Sequence, residues 1–208
     1  MLTKPAISDE NIIACLRDSF GLPISQVTFL PIGADLNSAV YRLTANDGTS
    51  YFLKLRRGDF DEMAVAVPAF LHAQGIRRVT APIGAKTHEL SVHAHEFDWI
   101  VFPFFEGKNG FEVALSPAQW IALGESLRAV HTTRLPAELV ERVPREDFSP
   151  RWHQIVRVFH DQVDHRASDD PIAARLGVFW TTKRDEIQRI VERAEHLAQA
   201  LRRRALDL

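Results

Sequence analysis

Apolar residues near the start of the chain recur at helical spacing. Ile12, Ile13, Leu16 and Phe20 fall on one face, Ser8 stands in an N-cap position and Gly21 closes the run, which predicts a first helix. Strand-like runs follow at Val27 to Pro31, Val40 to Thr44 and Ser50 to Leu55. The last two are joined through Asn46-Asp47-Gly48, where Asp-Gly is a hairpin signal. The acidic stretch Asp59, Asp61, Glu62 opens a second helix, from about Phe60 to Gln74, with Met63, Val67, Phe70 and Leu71 inward and Gly75 at its end. Pro68 breaks that pattern: it has no N–H for the Ala64 carbonyl, so the helix should kink there or split in two. Leu90 to Ala94 and Trp99 to Phe104 make a second antiparallel pair. The pattern is five strands with one helix inserted after the third.

From residue 116 the period turns helical. Ser116 is placed to cap, Pro117 takes the first helical position, and Trp120, Leu123, Leu127 and Val130 form the apolar stripe of a helix reaching Thr133. Pro136, Pro144, Pro150 and Pro171 punctuate the rest, with helices expected from Pro150 to Arg166 and from Pro171 to Arg204. The expected class is α+β: a strand-rich region 1–105, a linker 106–115 and a helical region 116–208.

Composition narrows the function classes. The 208 residues are 46% hydrophobic, enough for a folded core. A net charge of −2 gives no reason to expect nucleic acid as a partner. No apolar run approaches the roughly 18 residues of a membrane helix, and the first residues lack the apolar stretch of a signal peptide. A lone Cys15 excludes a disulfide scaffold and a cysteine-rich zinc site, and fits a reducing, cytoplasmic compartment.

Among the lysines, Lys54 alone sits inside an apolar strand, Tyr51-Phe52-Leu53-Lys54-Leu55. Strand alternation puts it on the face of Phe52, opposite Tyr51, Leu53 and Leu55. Such a cation needs an anionic partner or an exit to solvent. Glu62, at the start of the next helix, is one partner, and a strand lysine paired with a helix glutamate is how kinases hold a lysine against nucleotide phosphates. An edge-strand lysine placed against aggregation is the other reading. The turn Gly33-Ala34-Asp35-Leu36-Asn37-Ser38 can place backbone N–H groups over phosphates, or can be an ordinary hairpin. In Phe102-Pro103-Phe104-Phe105, Pro103 cannot donate a ladder bond, so pairing stops there. The freed backbone groups could take an adenine edge, or the strand simply ends at a linker.

Taken together these pieces resemble the aminoglycoside phosphotransferase family. The resemblance is carried by Thr28-Phe29-Leu30-Pro31-Ile32-Gly33-Ala34-Asp35, Tyr51-Phe52-Leu53-Lys54-Leu55, Phe102-Pro103-Phe104-Phe105, Gln119-Trp120, Leu127-Arg128, His131-Thr132 and Ser149-Pro150-Arg151-Trp152. It runs from about residue 1 to about residue 200. It implies a protein-kinase-like fold: an antiparallel five-stranded small lobe with one inserted helix, an ATP cleft, and the first helices of an α-helical large lobe. By position, Gly33, Ala34, Asp35, Asn37 and Ser38 would belong to the phosphate-covering loop. Lys54 would contact the α- and β-phosphates with Glu62 as its partner, and Phe102 would be the gatekeeper. The hinge would run through Phe104, with the Pro103 carbonyl and Phe105 amide binding adenine.

The chain also departs from that family. A kinase-like site needs a catalytic-loop Asp followed by an Asn, then a second Asp for Mg²⁺. Asn11, Asn37, Asn46 and Asn109 are the only asparagines, so nothing beyond Asn109 supplies the metal-holding Asn. Asp147-Phe148-Ser149 is too early for the metal-binding Asp-Phe-Gly. The expectation is a fragment of an ATP-dependent antibiotic phosphotransferase with no catalytic or metal residues of its own. The parent would use Mg²⁺ and take a small cationic antibiotic or metabolite. A non-catalytic nucleotide-binding module and an α+β interaction module are the alternatives. The open apolar stripe at Trp120 predicts self-association. His93 and His95 would share a strand face near His88, as zinc ligands or as surface histidines. Asp161, Asp164, Asp169 and Asp170 form an acidic stretch, one of whose last two members should cap the helix from Pro171.

Overall fold

Ser8 opens α1 (Asp9–Cys15): its Oγ accepts the Asn11 N–H at 3.2 Å, and Asp9 and Glu10 favour the positive end of the helix. The helix widens into a π turn over Leu16–Phe20 and stops at Gly21, whose φ of 72° lets the chain reverse. The computed structural model describes residues 3–33, 35–108, 110, 112–165 and 169–205. The chain divides into two compact units, Met1–Val143 and Pro144–Leu208. The linker expected at 106–115 therefore falls inside the first unit.

In that unit β1 (Ile24–Leu30), β2 (Ser38–Ala45), β3 (Ser50–Arg56), β4 (Val92–Ala94) and β5 (Phe97–Pro103) form one antiparallel sheet in the order β1-β2-β3-β5-β4. The β2–β3 turn is the expected one. Asp47 Oδ1 accepts the Thr49 N–H at 2.9 Å, the Gly48 N–H reaches the Ala45 carbonyl at 2.9 Å, and Gly48 takes φ 84°. One sheet face is sealed. Ala39, Tyr41, Leu43, Leu53, Leu55, Trp99 and Val101 are fully buried with Ile12 and Leu16 of α1. Each such large side chain contributes roughly 1.5–3 kcal/mol.

Helix α2 (Met63–Ala73) runs unbroken through Pro68, so of the two expected outcomes, a kink or a split, the split does not occur. Met63, Val65 and Leu71 are its buried residues; Val67 and Phe70, expected inward, are half-buried. Next, α3 (Pro117–Thr132) begins with a full capping box: Ser116 Oγ accepts the Gln119 N–H at 3.3 Å while Gln119 Oε1 accepts the Ser116 N–H at 2.8 Å. Its apolar positions Trp120, Leu123 and Leu127 lie exposed. A short α4 (Ala137–Val140) follows Pro136.

The second unit contains α5 (Arg151–His165), α6 (Pro171–Thr182) and α7 (Arg184–Ala205). Asp170 caps α6, its Oδ1 accepting the Ile172 and Ala173 N–H groups at 2.7 and 3.1 Å. The single helix expected from Pro171 to Arg204 is two helices parted at Lys183. Thr181 and Thr182 donate their hydroxyls back to the Gly177 and Val178 carbonyls at 3.0 and 2.8 Å, a pattern that weakens a helix. Asp185 and Glu186 then supply the acidic first turn of α7. No helix among the described residues is long and apolar enough to cross a membrane.

Tyr41 is fully buried, yet its hydroxyl has no hydrogen-bond partner among the described residues. Burial, with a smaller push from the Asp9 charge, raises its phenol to about 12. Tyr41→Phe should therefore raise the unfolding free energy by about 1 kcal/mol in urea denaturation. Because the folded-state pKa is raised, the neutral phenol's contribution is present below about pH 10 and lost as pH rises further. The stability of the wild type should fall across that window more steeply than that of Tyr41→Phe.

Candidate functional site

Lys54 pairs in register with Val40 of β2 and Ile100 of β5, both buried. Its stem is thereby flanked by apolar neighbours on the sheet face that α1 does not cover. Its ammonium has no hydrogen bond or ion pair among the described residues. Alternation puts Phe52, Arg56 and Phe102 on the same face, with Phe102 opposite Phe52.

At one end of that face lies the turn between β1 and β2. Gly33 adopts φ 101°, a conformation that favours glycine. Ala34 lies outside the described residues. Asp35 organises the rest of the turn: its Oδ1 accepts the Asn37 N–H at 2.9 Å, and its Oδ2 accepts the Ser38 hydroxyl at 2.6 Å and Arg56 Nη1 at 2.9 Å. The Ser38 hydroxyl, then the Asn37 N–H, hold the Asp35 carboxyl below its ordinary range; Arg56 and Lys54 add to this through their charge.

At the other end β5 leaves the sheet. Tyr51 faces Pro103, and the Phe104 N–H donates to the Ser50 carbonyl at 3.3 Å. Antiparallel bonding alternates edges, so the Pro103 carbonyl turns away from β3. It points along the edge where the Val101 carbonyl already accepts the Ile83 N–H at 2.7 Å. The Phe105 N–H has no partner among the described residues, and Phe105 is 69% exposed. One acceptor and one donor, two residues apart, thus stand without partners among the described residues where β5 ends. Arg42 of β2 reaches over to this segment: Nη2 donates to Glu106 Oε1 at 2.5 Å and to Ser50 Oγ at 3.3 Å, and the guanidinium lies 4.5 Å from the Phe104 ring centroid.

The structure brings Asp35, Ser38, Lys54 and Phe102 to one side of the sheet. No bond joins Glu62 to Lys54 among the described residues. Glu62 stands just before α2, and its Oε2 accepts Arg142 Nη2 at 2.5 Å. His95 is not on a strand face with His93: His95 and Glu96, with φ 50° and 66°, form the two-residue turn between β4 and β5. His93 bonds Asp98 at 2.9 Å. Asp164 of the acidic stretch is held by Arg184 at 2.8 Å. Sequence reasoning missed Arg42, Arg56 and Arg142. Arg56 was reachable, because it follows Lys54 by two positions on the same strand.

A family model described as the phosphotransferase enzyme family matches residues 28–206. The chain belongs to that family. This phosphotransferase chain is 32% identical to a spectinomycin phosphotransferase solved in complex with ADP and spectinomycin, with a TM-score of 0.84 over 94% of this chain and 59% of that one. An AMP-bound complex of spectinomycin phosphotransferase matches at 30% identity and TM-score 0.79 over 93% and 59%. An aminoglycoside phosphotransferase from Alicyclobacillus acidocaldarius, 17% identical with a TM-score of 0.54 over 95% and 55%, shares the fold. The phosphotransferase chain therefore has the expected kinase-like α+β fold and spans 59% of the length of the first solved chains it matches. No curated protein sequence matches it significantly.

The Asp35 carboxyl should titrate below the roughly 3.9 of an unfolded chain. A ¹³C-detected titration checks this, and Ser38→Ala should move the value up more than Arg56→Met does. Since the folded value is depressed, the stability it contributes is present above that unfolded value and lost as pH falls through the folded one.

Proposed function

We propose that this phosphotransferase chain supplies the ATP-holding part of an enzyme that moves the γ-phosphoryl group of ATP to a hydroxyl of a small cationic antibiotic of the aminoglycoside or spectinomycin type. The observation that carries the reading is the unpartnered Lys54 ammonium on the same sheet face as Phe102, in a sheet whose β5 ends with the Pro103 carbonyl and Phe105 N–H open. Adenine's amino group donates to the former and a ring nitrogen accepts from the latter. Lys54 neutralises the α- and β-phosphates, and the backbone of Gly33 to Ser38 covers them. A reducing, cytoplasmic setting suits the free thiol of Cys15.

The same reading assigns no transfer to this chain alone. Phosphoryl transfer depends on positioning and on neutralising the charge of the moving group. No Asn follows Asn109. Among the described residues no group of three or more His, Cys, Asp or Glu is placed to hold a metal ion.

Two measurements test the proposal. Millimolar ATP should raise the melting temperature by mass action, with little dependence on Mg²⁺, and Lys54→Ala should shrink the shift. No shift, or one indifferent to Lys54→Ala, removes Lys54 from the site. In an assay with ATP, Mg²⁺ and an aminoglycoside panel including spectinomycin, the 208-residue chain should show no turnover. Steady turnover abolished by Lys54→Met overturns the assignment of inactivity.

A further inference from the structure

We infer that Arg42 is the positioning residue of the hinge: one guanidinium fixes Phe104 and Glu106, the two neighbours of Phe105, and so presets the N–H and carbonyl that read the base. The inference rests on the nucleotide reading of that edge.

Past Pro103 the chain has left the ladder. Its one backbone tie between Phe104 and Glu106 among the described residues is the bond from the Phe104 N–H to the Ser50 carbonyl, at 3.3 Å. Phe105 projects into solvent with its N–H open. The remaining ties come from one side chain. Arg42 lies opposite Phe52 on β3, and Ser50 follows on the same face two residues away. From there the guanidinium holds Glu106 Oε1 at 2.5 Å and Ser50 Oγ at 3.3 Å while its plane lies against Phe104 at 4.5 Å. Glu106 is exposed, so the ion pair by itself contributes little to stability. Its consequence is geometric: the residues on either side of Phe105 are pinned to the sheet before a ligand arrives. Without Arg42 that backbone must be ordered at the moment of binding, and ordering costs affinity. Lysine cannot replace it, since a point charge lacks both the fork and the flat face.

The effect must therefore follow the base and not the phosphates. Calorimetric titration with adenosine, AMP, ATP and inorganic tripolyphosphate separates the two. Arg42→Gln should weaken adenosine, AMP and ATP by a similar factor, about tenfold (about 1.4 kcal/mol), and leave tripolyphosphate unchanged. Arg42→Lys should restore little. Lys54→Ala should show the opposite pattern, sparing adenosine and weakening ATP. Should Arg42→Gln not fold, Glu106→Gln leaves β2 intact and should weaken the same three ligands. Unchanged adenosine affinity in a folded Arg42→Gln, or in Glu106→Gln where that variant carries the test, overturns the inference and leaves the nucleotide reading standing. An equal loss for tripolyphosphate overturns it too, because the residue then acts on phosphate or on the whole fold. A wild-type chain that binds none of the four ligands removes the nucleotide reading and this inference together.

Discussion

Side chains on a β-strand alternate, and on β3 that rule ties the fold to the chemistry. Leu53 and Leu55 are fully buried under α1, so Lys54 between them must face the other way. A slip of one residue would drive the ammonium into the core and lift both leucines out of it, and a buried unpaired charge is among the costliest faults a core can carry. The Asp47-Gly48 turn at one end and the Val40–Lys54–Ile100 alignment across the middle hold the register. Whatever Lys54 does, it does from a position the hydrophobic core has already chosen.

The charges around it are sorted by type. Asp35 is matched with Arg56, Glu106 with Arg42 and Glu62 with Arg142, each through a guanidinium. The planar fork suits standing carboxylate contacts, whereas a lysine is a compact charge on a flexible stem. Among the described residues Lys54 has no hydrogen bond or ion pair, though its charge acts on the Asp35 carboxyl, and its two strand neighbours offer only hydrocarbon. These three carboxylates thus bond arginines and not Lys54.

Local signals made most of the fold legible. Ser8, Gly21, Asp47-Gly48, Ser116-Pro117 and Asp170-Pro171 are caps and turns whose chemistry acts within a few residues, and each does what its type dictates. The five strands could be read because the apolar period changes where they begin. Legibility failed where a distant partner or a competing local bond decides. The hydroxyls of Thr181 and Thr182 bond back to their own helix where α6 ends, although the apolar pattern continues. His95 and Glu96 turn left-handed because the hairpin leaves them no other path. Pro68 is carried through an unbroken α2. In the site, strand position placed Lys54 and Phe102, but no spacing rule could announce that Glu62 would meet Arg142, eighty residues away in the chain.

Pro103 has one more effect, on who can dock at that edge. An extended peptide adding itself to β5 would seek a donor and an acceptor from each outward-facing residue. At Pro103 it finds the carbonyl and, where the N–H should be, a ring. Strand addition loses a rung there, and the neighbouring Val101 carbonyl is already taken by Ile83. A flat heterocycle needs just one acceptor and one donor two residues apart, so it forgoes nothing. At this one position the ring denies a docking strand its rung, whereas the adenine edge proposed above would ask for no N–H there.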